Sequence, residues 1–191
     1  MKRDIKQNLF LMPAVLLAGA LLFTILFSWD NKYAAALPGG PGYNVLQGNP
    51  ERAAFLVGGW EYYPGELLTP ADLAGREAEA HTYAGEHPNF SKQLGSPYGA
   101  ATYRLYLKNT GNTRELALYL PELLCAGRVY INGVLAGTQG SVQPYRPYVM
   151  DGIYAFSAGA DTEIVIQRAN YTHYYSGMYY LPAIGTPQAD T

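Results

Sequence analysis

After residue 53 the sequence repeatedly alternates, one residue at a time, between side chains that belong in a core and side chains that tolerate water. In "TYRLYLKN" Tyr103, Leu105 and Leu107 share one face and Arg104, Tyr106 and Lys108 the other. "RELALYLP" sets Leu116, Leu118 and Leu120 against Glu115, Ala117 and Tyr119, "RVYING" sets Val129 and Ile131 against Arg128 and Tyr130, and "TEIVIQRAN" sets Ile164 and Ile166 against Glu163, Val165 and Gln167. Further upstream Trp60 and Tyr62 oppose Glu61 and Tyr63. A period of two is the signature of a half-buried strand. The breaks between these runs are turn signals: Pro64-Gly65, "GNT" at 111–113, and Asn132-Gly133, a pair that tolerates the positive φ angles of a tight hairpin. Five or more such strands with almost no helical periodicity predict an all-β fold, an antiparallel jelly-roll β-sandwich. Leu105, Leu118, Ile131 and Ile164 are then expected to be buried on facing sheets.

One part of the chain cannot join that sandwich. Residues 9–29, "LFLMPAVLLAGALLFTILFSW", carry no charge and match the length of a bilayer-spanning helix. Lys2, Arg3 and Lys6 precede the run and place the amino terminus in the cytoplasm by the positive-inside rule. A cleaved signal peptide is the rival, with small residues at Ala34 and Ala36, but its apolar region is normally shorter. The expected organisation is a cytoplasmic end (1–8), a membrane anchor (9–29), a Gly/Pro/Ala-rich linker (30–52), an extracytoplasmic ligand-binding domain (53–186) and a short tail (187–191). Within the domain, Thr69-Pro-Ala-Asp is expected to cap a short helix, and residues 74–97 to form a long irregular connection.

Composition narrows the function classes. Charged residues are 15% of the chain and the formal net charge is −2, so no electrostatic case exists for nucleic acid. The lone cysteine, Cys125, cannot form an internal disulfide and reads as a buried, inert thiol. His81 and His87 lack partners at metal-ligand spacing, no phosphate-binding or dinucleotide glycine motif is present, and no cofactor is implied. Glu61, Glu66 and Asp72 could pair as acid and base, yet solvated carboxylates are the simpler reading, and a binding module is expected rather than an enzyme.

A binding surface has stronger support. Tyrosine is the compositional outlier, with 18 residues against 6 phenylalanines. "NYTHYYSGMYY" at 170–180 joins five tyrosines to a histidine and an amide, and "QPYRPY" at 143–148 adds an arginine between tyrosines. Such groups either stack on a ligand ring while hydrogen-bonding its substituents, or alternate across a closing strand with half the tyrosines in the core. The core reading is favoured for Tyr179 and Tyr180. The candidate ligand-binding residues are Tyr145, Arg146, Asn170, His173 and Tyr175 at one rim of the sandwich, with Arg104 added if its strand face lines the cavity.

"GGWEYYPGELLTPAD", "GAATYRLYL", "ELALYLPELLCAGRVYINGVLAGTQG" and "EIVIQRANYTHYYSGMYYLPAIGT" together resemble the extracellular jelly-roll domain of bacterial receptors of the 7TMR-DISM class. The resemblance implies a galactose-binding-like sandwich that takes carbohydrate or another small solute and signals to a histidine kinase, diguanylate cyclase or related output module. The same motifs are similar to the sugar-binding jelly roll of β-galactosidase-type glycoside hydrolases, which implies instead a carbohydrate-binding accessory domain. The sequence departs from the receptor pattern in carrying no seven-helix unit or output motif after the domain, so the expectation is either a receptor fragment or an anchored domain whose output partner is another chain.

Overall fold

The computed structural model describes residues 2–30, 36–48, 53–86, 90–122, 124–175 and 177–187. The chain divides into two units, Met1–Ala35 and Ala36–Thr191. The first contains helix α1 (Lys2–Asp30), whose stretch Leu11–Trp29 is long and apolar enough to cross a membrane. Its long run of leucine, alanine and phenylalanine favours a helix, and Pro13 is tolerated within it.

The second unit is the expected sandwich. Strands β1 (Gly39–Gly40), β2 (Tyr43–Leu46), β4 (Trp60–Pro64), β5 (Ala80–Thr82), β6 (Gly99–Asn109), β8 (Ala126–Ile131), β9 (Val134–Gln139) and β13 (Asp161–Asn170) form the larger sheet. Its order is β1-β2-β6-β13-β8-β9, with β4 pairing β6 beyond the end of β2 and β5 pairing β4. Strands β3 (Ala54–Phe55), β7 (Arg114–Leu120), β12 (Gly152–Ala158) and β14 (Ala183–Gly185) form the smaller sheet in the order β12-β7-β14-β3. A small hairpin, β10 (Ser141–Val142) with β11 (Tyr145–Arg146), stands apart from both.

The alternation sorts the faces as the sequence predicts. Leu105, Val129, Ile131, Ile164 and Ile166 of the larger sheet and Leu116, Leu118 and Leu120 of the smaller one are buried in a single apolar cluster, together with Trp60 and Tyr62. Asn132 and Gly133 both take positive φ, 49° and 79°, and close the β8–β9 hairpin with Ile131 opposite Val134.

Several expectations need correction. The linker read over 30–52 contributes β2, which runs parallel to β6 and buries Asn44 and Leu46, so the folded unit begins upstream of residue 53 and the sheet is not wholly antiparallel. The Thr69 segment makes one turn and no helix: the Thr69 amide and hydroxyl donate to Asp72 at 2.9 and 2.6 Å, while the Leu73 amide donates to the Thr69 carbonyl at 3.2 Å. The irregular stretch 74–97 holds β5 and a four-residue helix α2 (Ser91–Leu94). Strand β12 is not among the runs that the alternation predicts. His87 lies outside the described residues, as do 31–35, 49–52 and 188–191.

Candidate functional site

The tyrosine-rich segment leaves β13 at Asn170, and β14 begins at Ala183; among the described residues of 171–180 none lies on a strand. The expectation that Tyr179 and Tyr180 alternate across a closing strand, with half of the tyrosines in the core, is therefore overturned: they are 39% and 49% exposed. Without a strand to impose alternation, the rings gather on each other. Tyr174 meets Tyr175 at 5.3 Å between centroids, Tyr175 meets Tyr179 at 5.2 Å, and Tyr179 meets Tyr180 at 4.8 Å. Each spacing falls within the range of favourable aromatic pairs.

Beside these rings lies a cleft of about 230 Å³ lined by Tyr175, Tyr179, Tyr180, Glu122 and Leu124. Two connections build it, that from β7 to β8 and that from β13 to β14. The first is held by Asp151, whose carboxylate accepts from the Glu122 amide at 2.6 Å and from the Tyr119 hydroxyl at 3.0 Å. The lining joins flat aromatic faces, phenolic hydroxyls, one aliphatic group and one carboxylate. In general, groups of this kind can stack on a ring and hydrogen-bond its substituents.

The predicted residues divide. Tyr175 lines the cleft. Asn170 is fully buried and its amide is committed to the chain: its oxygen accepts from the His173 amide at 3.1 Å, and its nitrogen donates to the His173 carbonyl at 2.5 Å. It sets the turn that launches the tyrosine segment, which is a local side-chain-to-backbone motif. Tyr145 bonds the Thr172 hydroxyl at 2.9 Å and packs edge-on against Tyr171 at 5.0 Å, tying the β10–β11 hairpin to that turn. His173 and Arg146 are exposed.

Arg104 belongs elsewhere. It lies on the outer face of the larger sheet, opposite the core face of Leu105, and is bound through Nε to the carboxylate of Glu61. Its Nη1 donates to the Leu73 carbonyl at 2.9 Å, and Nη2 donates to the Tyr63 hydroxyl at 3.0 Å and the Arg76 carbonyl at 3.2 Å. Glu163 approaches Nη1 at 4.0 Å. Arg104 thus clamps the segment after β4 onto the sheet, where Tyr63, Leu68, Leu73 and Val165 form a second apolar cluster. The three carboxylates considered as acid and base are dispersed to separate partners: Glu61 to Arg104, Glu66 to Arg76, and Asp72 to Thr69, whose hydrogen bonds hold the Asp72 carboxyl below its ordinary range.

Sequence reasoning missed Arg168. It sits on the same face of β13 as Ile164 and Ile166, fully buried between the sheets. Its Nη1 donates to Gln139 Oε1 at 2.5 Å, and the Gln139 amide nitrogen donates to the Met150 carbonyl at 2.7 Å, so the oxygen is oriented toward the guanidinium. The Cys125 thiol and the Tyr154 and Tyr103 phenols are its other polar neighbours. Gly127 makes the room, since a Cβ there would stand 2.3 Å from Arg168 Nη1. Burial pushes the Cys125 thiol up, as expected of an inert one.

No protein-family model and no curated protein matches this sequence. Among solved structures the chain is similar to a GH2 β-galacturonidase from Eisenbergiella tayi, at 12% identity and a TM-score of 0.49 over 71% of this chain and 24% of that one. It is similar also to a β-glucuronidase from Ruminococcus gnavus, at 12% identity and a TM-score of 0.49 over 80% of this chain and 31% of that one. The chain therefore spans under a third of the length of either protein.

Proposed function

We propose that the chain is a membrane-tethered, extracytoplasmic sensory module whose sandwich binds a small polar ligand of carbohydrate type in the tyrosine cleft. The output is a histidine kinase or diguanylate cyclase module in this or another chain. One observation carries the binding reading: exposed tyrosines, packed against one another at tilted and edge-to-face angles, border a cleft that also offers hydroxyls and a carboxylate. Exposed aromatic faces beside polar groups suit sugars, whose rings present apolar faces and polar edges. The module works by binding, with no chemical step of its own: Glu61, Glu66 and Asp72 are each engaged by a different neighbour. The tether is α1, with the sandwich outside the cell.

A thermal-shift screen of the full chain in detergent micelles against monosaccharides tests the binding reading. A sugar should raise the unfolding midpoint in the native chain and fail to do so in Tyr175→Ala and Tyr180→Ala. Absence of any sugar response, or an equal response in both variants, contradicts it. Protease treatment of intact cells tests the topology: the sandwich should be digested, and its protection would place it inside.

A further inference from the structure

Arg168 is a charged group between the sheets whose chemistry the packing answers only in part. An arginine side chain stays charged at any physiological pH, so burying it without a counter-charge is expensive. Among the described residues no carboxylate pairs with it, and its polar neighbours, Gln139, Cys125, Tyr103 and Tyr154, are all neutral groups. Two of its nitrogens, Nε and Nη2, are buried with no hydrogen-bond partner. Those two lie on the same side of the planar guanidinium, the edge that a carboxylate engages with two parallel hydrogen bonds.

The chain ties the arginine cluster to the tyrosine cleft through residues adjacent in sequence. Leu124 lines the cleft, and its neighbour Cys125 is buried against Arg168. Tyr179 lines it too, and its neighbour Met178 is buried with its backbone at Tyr103, itself an electrostatic neighbour of Arg168. The residues next in sequence to the cleft lining are thus the ones that adjoin the arginine cluster. Met178 is unbranched and adaptable, a side chain suited to giving way.

From this geometry we infer that the ligand carries a carboxylate, and that Arg168 is its anchor, receiving it on the Nε/Nη2 edge. The inference rests on the reading of the tyrosine cleft as the ligand site and narrows it to acidic ligands, such as sugar acids. Glu122 at the cleft works against such a ligand, so Glu122→Gln should tighten binding.

The test uses the full chain in micelles with three probes: acetate against chloride at equal ionic strength, D-galacturonate, and D-galactose, which carries a hydroxymethyl group where the second carries its carboxylate. Acetate should raise the unfolding midpoint where chloride does not, and galacturonate should bind about ten- to a hundredfold more tightly than galactose, the ratio expected of charge-assisted hydrogen bonds. Both effects should vanish in Arg168→Met, and Arg168→Lys, which keeps the charge without the fork, should not restore them. If both variants fail to fold, the acetate and chloride comparison on the native chain still decides. Equal responses to acetate and chloride overturn the inference and mean that buried water alone serves those nitrogens. Galactose and galacturonate binding alike would do the same while leaving the cleft reading intact. An acetate response with no sugar binding would instead count against the carbohydrate reading and leave Arg168 as an anion site.

Discussion

Arg104 and Arg168 stand on adjacent, hydrogen-bonded strands of the larger sheet, one on its outer face and one on its inner. Arg104 is met by a carboxylate, a phenol and two backbone carbonyls, and it fastens the segment after β4 to the sheet. Arg168 is more deeply buried and is met by neutral groups, through a short hydrogen bond to the Gln139 amide oxygen and through the Cys125 thiol. The contrast separates an arginine that the fold uses from one that the fold carries. A charged group held in a core without compensation weakens the native state, so its presence there calls for a role other than stability.

The largest expected effect breaks this comparison if it fails. Arg104→Met strips Glu61 of its partner and frees two carbonyls, and should cost about 3 to 5 kcal/mol in denaturant unfolding, the range for breaking a buried ion pair from one side. Arg168→Met should instead leave stability unchanged or raise it, because it removes an uncompensated charge. The reverse pattern would mean the two roles are exchanged.

A smaller effect is expected at the turn that launches the tyrosine segment. Asn170→Ala loses the bonds to His173, and should cost about 1 to 3 kcal/mol, the penalty for leaving buried polar groups unanswered. Tyr175→Ala and Tyr180→Ala remove half-exposed rings and should change stability by less than about 0.5 kcal/mol, as surface substitutions do, while removing ligand binding. Large destabilisation in these two would make the rings framework. Smallest of all, Cys125 should ignore a thiol reagent at pH 8 in the native state and react fully in denaturant. Burial raises its pKa, so the thiolate is scarce below the thiol's ordinary range and remains so above it until the folded value is reached.

Much of the sandwich was legible in the sequence because strands with one wet face write their orientation as alternation. Leu105, Leu118, Ile131 and Ile164 followed from it directly, and so did the Asn132-Gly133 hairpin. Strand β12 did not, because its inward positions are Gly152, Tyr154, Phe156 and Ala158, and Ala155 faces out, leaving little contrast of character between its faces. Two of the small residues have a spatial cause: a Cβ on Gly152 would meet the Tyr154 hydroxyl at 2.3 Å, and one on Gly137 of β9 would meet the same ring at 2.5 Å. Strand β2 hid within a Gly- and Pro-rich stretch whose pairing with β6 is set by contacts more than fifty residues away in sequence.

The candidate site was legible as composition and illegible as geometry. The tyrosine run contains three of the residues that line the cleft, but which tyrosines face it depends on the described residues of 171–180 lying outside any strand. Asn170 and Tyr145 were read as ligand contacts because nothing local distinguishes an amide that binds a ligand from one that closes a turn. Arg168 had a signal that went unused: continuing the alternation of Ile164 and Ile166 by two residues places an arginine at an inward position. A charge where the period demands an apolar residue marks either an error in the register or a site.

The most direct test of the account follows the two arginine Nε–H groups by ¹⁵N NMR in the full chain, assigned with Arg104→Met and Arg168→Met, as D-galacturonate is added. The Arg168 signal should shift downfield and saturate while the Arg104 signal stays in place. An Arg168 signal that does not move, or two signals that move together, would contradict the claim that one arginine holds the fold and the other holds the ligand.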